Sequence, residues 1–292
     1  MRRFGCPSQR RHSERPKPDA DRIRKGQVPK MTILDFRKRK TSGLPISIVT
    51  SYDAWSARII ADSDVDCILV GDSAAMVMHG HASTVPASTS MMAAHISAAR
   101  RGAPEALIIG DLPFLSVRMG LPEAVRSIAA LMRAGANAVK LEGAEGNLEL
   151  ITHIVQSGVP VMGHLGLIPQ SINAFGGYRV QGRGEVASMR LLDNARSLEE
   201  SGCFAVVLEA VPGKLAKRVS GALAIPVIGI GAGAAVDGQV LVLQDLLGLN
   251  TQFTPKFVRK FLNGAELIRK ALNRYHEEVL KRTFPLEKES YE

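Results

Sequence analysis

Cysteine is scarce in this chain. Only Cys6, Cys67 and Cys203 occur, an odd and widely spaced set. No CxxC pair and no Cys/His zinc spacing is present. That excludes a disulfide scaffold and a structural zinc site, and it reads as free thiols of a reducing, cytoplasmic compartment. Long hydrophobic runs are also missing. No stretch reaches the roughly 18 uninterrupted apolar residues of a membrane span. The nearest, 222–236, is broken by Pro226 and by glycines at 229, 231 and 233. The N-terminus lacks the apolar core of a secretory signal. Its arginines come with Glu14, Asp19, Asp21 and prolines, which oppose the amphipathic helix of a transit peptide. GxxxxGKS/T, GxSxG and a strand-coupled GxGxxG with an acid some twenty residues on are absent too, so neither a common nucleotide cradle nor a nucleophile elbow is expected.

Acidic residues are scarce only at the start. Residues 1–40 hold 14 Lys and Arg against 4 Asp and Glu, whereas the rest holds 23 against 24. The formal charge of +9 therefore belongs to a tail, and the body is nearly neutral. A nucleic-acid groove needs basic residues on the folded body, so no nucleic-acid partner and no membrane partner is expected. Binding by the tail alone would fall steeply with salt. Residues 1–31 read as a basic, disordered extension and residues 32–292 as a single catalytic domain, with Met31 at the junction. At 46% hydrophobic residues the 292-residue chain can fill one large core.

What the chain has in quantity is one repeated pattern. Cys67-Ile-Leu-Val-Gly-Asp-Ser73 is a short apolar run that stops at a turn, the mark of a buried parallel strand. Ala106 to Asp111, Ala138 to Glu142 and Ala205 to Glu209 repeat it, each ending in an acid. Arg133-Ala-Gly-Ala-Asn-Ala-Val-Lys-Leu-Glu142 also parallels Glu200-Ser-Gly-Cys-Phe-Ala-Val-Val-Leu-Glu209, a helix end, a glycine cap and a strand. Strands are expected near 46–50, 67–71, 106–110, 138–142, 159–163, 204–208, 226–230 and 239–244. Eight strands with helices between them predict a closed α/β barrel of the (β/α)8 TIM type. A long loop from Gly166 to Gly184 follows the fifth strand, and a long amphipathic helix is expected over 255–281.

Ligands of such barrels gather at the carboxyl ends of the strands. Asp72, Asp111, Glu142 and Glu209 all fall there. Clustered carboxylates repel one another unless a cation or Lys140 compensates, and an oxygen-only set suits Mg²⁺ rather than Zn²⁺. Singly, each acid could instead cap the following helix or pair with a loop arginine. His79-Gly-His81 has the look of a metal pair, but loop histidines at this spacing more often meet water or backbone. His164 could touch a ligand or be a satisfied buried histidine. Gly229-Ile-Gly-Ala-Gly233 fits a phosphate cradle or simply a tight strand-to-helix turn.

Seven segments in register carry a resemblance. Val70-Gly-Asp-Ser73, Asp111-Leu-Pro-Phe114, Val139-Lys-Leu-Glu-Gly143, Gly163-His-Leu-Gly-Leu-Ile-Pro-Gln170, Phe175-Gly-Gly-Tyr178, Gln181-Gly-Arg-Gly184 and Ile228-Gly-Ile-Gly-Ala-Gly233 together resemble the ketopantoate hydroxymethyltransferase family, over about residues 32–285. The resemblance implies a (β/α)8 barrel that binds Mg²⁺, with 5,10-methylenetetrahydrofolate as one-carbon co-substrate. The acceptor it implies is the keto acid 3-methyl-2-oxobutanoate, which reacts through a Mg²⁺-bound enolate in the first step of pantothenate biosynthesis. It implies that Asp72 and Asp111 hold the metal, with Glu142 as a metal-site acid acting through water. Asp72, Ser73, Asp111 and Lys140 would bind the keto acid, and Glu209 would be the catalytic base. It implies a homo-oligomer, a decamer of two five-membered rings. The chain departs from the family pattern at Ala82, where an aspartate is usual, and around 243–245; neither touches the positions just named.

A lyase of the phosphoenolpyruvate mutase and isocitrate lyase type would also hold a keto acid on Mg²⁺ in a related barrel. Such enzymes generally carry a cysteine on a gating loop, and neither Cys67 nor Cys203 falls on the long loop here.

Overall fold

The computed structural model describes residues 31–291, so the expected extension lies, apart from Met31, outside the described residues. Eight parallel strands close into a barrel in sequence order: β1 (Ile46–Thr50), β2 (Cys67–Val70), β3 (Ile108–Asp111), β4 (Ala138–Glu142), β5 (Val161–Gly166), β6 (Ala205–Glu209), β7 (Val227–Ile230) and β8 (Gly238–Leu241). The helices are α1 (Ile33–Ser42), α2 (Ala54–Ala61), α3 (Ala74–Val77), α4 (Thr89–Gly102), α5 (Leu121–Arg133), α6 (Leu148–Gln156), α7 (Ile172–Phe175), α8 (Glu185–Glu200), α9 (Gly213–Ala222), α10 (Leu243–Leu246) and α11 (Gly264–Leu280). This is the expected (β/α)8 barrel. Among the described residues no helix is long and apolar enough to cross a membrane.

Side chains alternate between the two faces of each strand. Ile48, Leu69, Ile109, Ala138, Met162, Val207 and Val240 point into the barrel and pack together. Their neighbours Val49, Ile68, Ile108, Val139, Val161, Val206 and Val227 pack outward in the layer shared with the helices. Phe36 of α1 plugs the amino-terminal mouth, fully buried, its ring 5.2 Å from that of Phe204 and edge-on to it. Each fully buried side chain of this size contributes about 1.5–3 kcal/mol. The lower barrel thus supplies stability that can offset charges buried at its other end.

The repeated sequence unit has a local cause. After α5, Gly135 turns left-handed at φ 115°, and its N–H and that of Ala136 reach back to the carbonyls of Met132 and Leu131. After α8, Gly202 does the same at φ 94°, with bonds from Gly202 and Cys203 to Glu199 and Leu198. Both are Schellman caps, which stop a helix and aim the chain into the next strand.

The third and fifth strands, expected near 106–110 and 159–163, run Ile108–Asp111 and Val161–Gly166, and two further boundaries depart for a reason that hydrogen bonds show. The last strand ends at Leu241 rather than 244, because the Leu243 N–H is taken by the Thr50 hydroxyl at 3.0 Å and α10 begins there. The C-terminal helix starts at Gly264, not near 255. The preceding segment spends its N–H groups elsewhere: Phe261 and Gly264 donate to the carbonyls of Leu246 and Leu247 at 2.8 and 2.9 Å.

Candidate active site

The strand alternation that fills the core also builds the site. Two residues on from Ile109 stands Asp111, and from Ala138 follow Lys140 and Glu142. Met162 leads to His164, and Val207 to Glu209. All five therefore point inward at the carboxyl-terminal mouth. Register places them side by side: Asp111 opposite Lys140, Glu142 opposite His164, and Glu209 opposite Gly166. Asp72 lies one residue past this alternation, in the turn after β2, and its N–H donates to Asp111 Oδ2 at 3.3 Å. A Cβ on Gly71 would stand 2.8 Å from Ser73 Oγ, so glycine lets this turn close upon the acids.

The result is a compact charged cluster. Lys140 Nζ lies 2.8 Å from Asp111 Oδ2 and 3.9 Å from Glu142 Oε1. His164 sits between the acids, with Nδ1 3.3 Å from Glu142 Oε1 and Nε2 3.3 Å from Glu209 Oε2. These last two are ion contacts, not aligned hydrogen bonds. Asp72, Asp111 and Glu142 each bring one oxygen within 4.8 Å of the others. Asp111 Oδ1 and Glu142 Oε1 are buried with no hydrogen-bond partner. Buried oxygens of charged groups are costly to leave unmatched, by several kcal/mol per ion. With Glu209 counted among the acids and a protonated His164 beside Lys140, four carboxylates against two cations leave two negative charges uncompensated, which is the charge of one divalent cation. The oxygen set, the orphaned atoms and this deficit all fit Mg²⁺.

Protonation follows from crowding. Burial, and then the charges of Asp111 and Glu142, push the Asp72 carboxyl well above its ordinary range. Burial raises Asp111 as well, although Lys140 opposes it. For Glu142 burial is outweighed by the His164 imidazole and Lys140, which hold it low. Burial pushes the Lys140 ammonium down, but the surrounding carboxylates more than reverse this and keep it charged. His164 is pushed down by burial and by Lys140, yet Glu142 and Glu209 carry it up to about 9.

Ser73 stands at the edge of the cluster, its hydroxyl 2.8 Å from that of the buried Tyr52. The long loop after β5 is ordered by Pro169–Ser171, a 3₁₀ turn, and by α7. It folds over the acids through Gln170. The Gln170 amide nitrogen donates to Asp72 Oδ2 at 2.9 Å and to the Leu112 carbonyl at 2.8 Å, and its backbone N–H to Glu142 Oε2 at 3.2 Å. The loop is also pinned where it begins: a Cβ on Gly166 would lie 2.2 Å from the Glu209 carbonyl oxygen.

Asp72, Ser73, Asp111, Lys140, Glu142 and Glu209 thus converge, as does His164, and Gln170 and Tyr52 join them. His164 was legible, since it shares the parity of Met162. Gln170 and Tyr52 come from loops, where no periodicity points to a direction. The His79/His81 motif resolves differently: His79 Nε2 lies 2.8 Å from His95 Nε2, whose ring also reaches the Tyr52 carbonyl. Gly229 and Ile230 end β7 and residues 231–233 form the turn out of it, with Gly231 and Gly233 left-handed.

Replacing Gln170 by Ala is expected to release the loop. Hydrogen bonds to a charged group are worth about 1.5–3 kcal/mol, so tryptic cleavage at the exposed Arg179 and Arg183 should accelerate about tenfold or more. Unchanged cleavage would mean that Gln170 does not hold the loop down.

The family model described as ketopantoate hydroxymethyltransferase matches residues 30–287, a span that contains every residue of this cluster. A 3-methyl-2-oxobutanoate hydroxymethyltransferase of Bdellovibrio bacteriovorus is 58% identical over 260 residues, covering 89% of this chain and 99% of its own. One from Coxiella burnetii is 56% identical over 256 residues, with 87% and 96% covered. Among solved structures, a phosphonopyruvate hydrolase crystallised with oxalate and Mg²⁺ superposes with a TM-score of 0.58 at 12% identity, over 89% of this chain and 93% of that one. A 2,3-dimethylmalate lyase of the PEP mutase/isocitrate lyase superfamily gives 0.55 at 16%, over 89% and 93%. At such identities the likeness is one of fold alone. Matched over nearly all its described length, and more than half identical to relatives of that name, this chain belongs to the ketopantoate hydroxymethyltransferase family.

Proposed function

We propose that the protein moves a hydroxymethyl group from 5,10-methylenetetrahydrofolate to 3-methyl-2-oxobutanoate, giving 2-dehydropantoate (ketopantoate), the first step of pantothenate biosynthesis. Family membership supports the reaction. The observation that carries the site is the pair of buried oxygens, Asp111 Oδ1 and Glu142 Oε1, that accept no hydrogen bond beside a buried ammonium. Asp72 and Asp111 would hold Mg²⁺ directly, and Glu142 through water. When bound there, the cation withdraws electrons from a chelating keto acid and acidifies its C3–H.

The chain's own groups do the rest. Lys140 offers its charge to the keto acid carboxylate, with Ser73, fixed by Tyr52, at its other side. Glu209 takes the C3 proton as general base. The electron pair left at C3 forms the new bond to the donor's methylene carbon. Both carbon–nitrogen bonds to that carbon break, water supplies the hydroxyl oxygen, and tetrahydrofolate departs. His164, bridging Glu142 and Glu209, orients the base and can carry charge between the two.

The lyase alternative fares poorly. Among the described residues Cys67 and Cys203 are free and buried, and burial pushes the Cys203 thiol up to about 12 and that of Cys67 higher still. Neither sits on the 166–184 loop. The reading extends to a cytoplasmic homo-oligomer, a decamer by family resemblance. The exposed Leu267, Ile268, Leu272, Tyr275 and Val279 along α11 support an assembly.

Mass spectrometry of a mixture of both substrates with the purified chain tests the reading. Ketopantoate should form in Mg²⁺ and cease on chelation. No product from both substrates at saturating Mg²⁺ would overturn it.

A further inference from the structure

A cavity of about 500 Å³ lies beside the acid cluster, between the loops after β3, β4 and β5 and the start of α8. It meets the cluster only through Glu142 and Gln170. None of Asp72, Ser73, Asp111, Lys140 or Glu209 lines it. The barrel mouth therefore holds the charged cluster and, beside it, this chamber of different character. Leu112, Leu141, Leu165, Ile168 and Leu191 give the chamber apolar walls. Its inner end reaches Gly166, the register partner of Glu209, and so approaches the place where C3 would be deprotonated.

The polar anchor of this chamber is Glu145. Arg190 grips it with two hydrogen bonds, Nε to Oε1 at 2.7 Å and Nη2 to Oε2 at 2.6 Å, and Asn194 adds one to Oε1 at 3.3 Å. Those hydrogen bonds hold its carboxyl down at about 2, so it is ionised at any working pH. A carboxylate has about four acceptor positions, and three are used. The remaining one, on Oε2, belongs to a carboxylate fixed in orientation and exposed to the cavity. A keto acid would be repelled there. A flat, neutral heteroaromatic ring with N–H donors along one edge would not.

We infer that this chamber seats the pteridine ring of the one-carbon donor, with Glu145 accepting from the ring's amino-amide edge and the leucine walls covering its faces. The inference rests on the reaction proposed above, which requires two substrates of unlike chemistry to meet. It assigns them adjoining sites that touch at Glu142 and Gln170. Arg118, which donates to the carbonyls of Glu145 and Gly146 at 2.8 Å each, stands at the rim as a cation for the donor's glutamyl carboxylates.

Two variants test this: Glu145→Ala, which removes the anchor, and Ala187→Trp, which narrows the chamber and leaves every charge in place. The readout is equilibrium binding of tetrahydrofolate itself, followed by fluorescence quenching in the presence of Mg²⁺ and keto acid. Each variant should weaken tetrahydrofolate at least tenfold. Keto acid binding, measured without folate, reports that the charged cluster is intact and should stay within about twofold of the parent. Parent-like tetrahydrofolate affinity in both variants would overturn the placement while leaving the reaction standing. A parent protein that binds no tetrahydrofolate would overturn both.

Discussion

Glu209→Gln should abolish exchange of the keto acid's C3 hydrogen with deuterated water while leaving keto acid binding nearly untouched. Glutamine keeps the shape and the hydrogen-bonding of the side chain but accepts no proton. A positioned general base contributes about 10²–10⁴-fold, so exchange without folate should fall by that factor. Affinity for the keto acid in Mg²⁺ should change by no more than about threefold, because Glu209 is outside the trio that would hold the metal. Its side chain is 17% exposed against 3% for Glu142, so the proton it takes can pass to solvent and exchange can be observed. Exchange at the parent rate would make Glu209 a structural acid and move the base to Glu142, the next carboxylate along the His164 bridge.

Why Glu209 could be singled out from sequence, and Gln170 could not, is a matter of periodicity. A strand alternates strictly, so one inward residue fixes the direction of every second one after it. Ala138, Lys140 and Glu142 lie on one line, as do Val207 and Glu209. The inward direction of Asp111, Lys140, Glu142 and Glu209 is legible for that reason, whereas the eight β/α units and the Gly135 and Gly202 caps are legible from the repeated segment itself. Loop side chains obey no such rule. Gln170 reaches Asp72, 98 residues away in sequence, because the loop doubles back, and nothing local encodes that contact. The start of α11 departs from the sequence pattern for a related reason. An amphipathic pattern continues through 255–263, but the carbonyls of Leu246 and Leu247 capture the N–H groups that a helix would have used.

Asp111→Ala should cost the protein its Mg²⁺-dependent grip on the keto acid. Altering even the supporting partners of metal ligands costs 10–100-fold, so removing a carboxylate proposed to hold the metal directly should weaken keto acid binding in Mg²⁺ about 100-fold or more by calorimetry. The fold should persist, since the apolar barrel interior below is untouched. Unchanged Mg²⁺-dependent affinity in Asp111→Ala and in Asp72→Ala would sink the metal assignment.

The same carboxylates make a pH prediction. Asp72 and Asp111 titrate above their ordinary value of 3.8 in the metal-free protein. A carboxyl raised in the folded state adds stability below its unfolded pKa and loses it as pH climbs through the folded one. The metal-free protein should therefore lose stability upward from about pH 4, and Mg²⁺, which needs the ionised acids, should restore it. The increase in Tm on adding Mg²⁺ should grow from about pH 5 to pH 8. An increment constant across that range would place the metal away from these acids.

The most direct measurement is anomalous diffraction from crystals soaked in Mn²⁺, an ion that takes the same oxygen ligands as Mg²⁺. One peak is expected at the barrel mouth, within about 2.2 Å of a carboxylate oxygen of Asp72 and of Asp111, with Glu142 facing it across a water. A crystal saturated with Mn²⁺ that shows no peak between these residues would contradict the account.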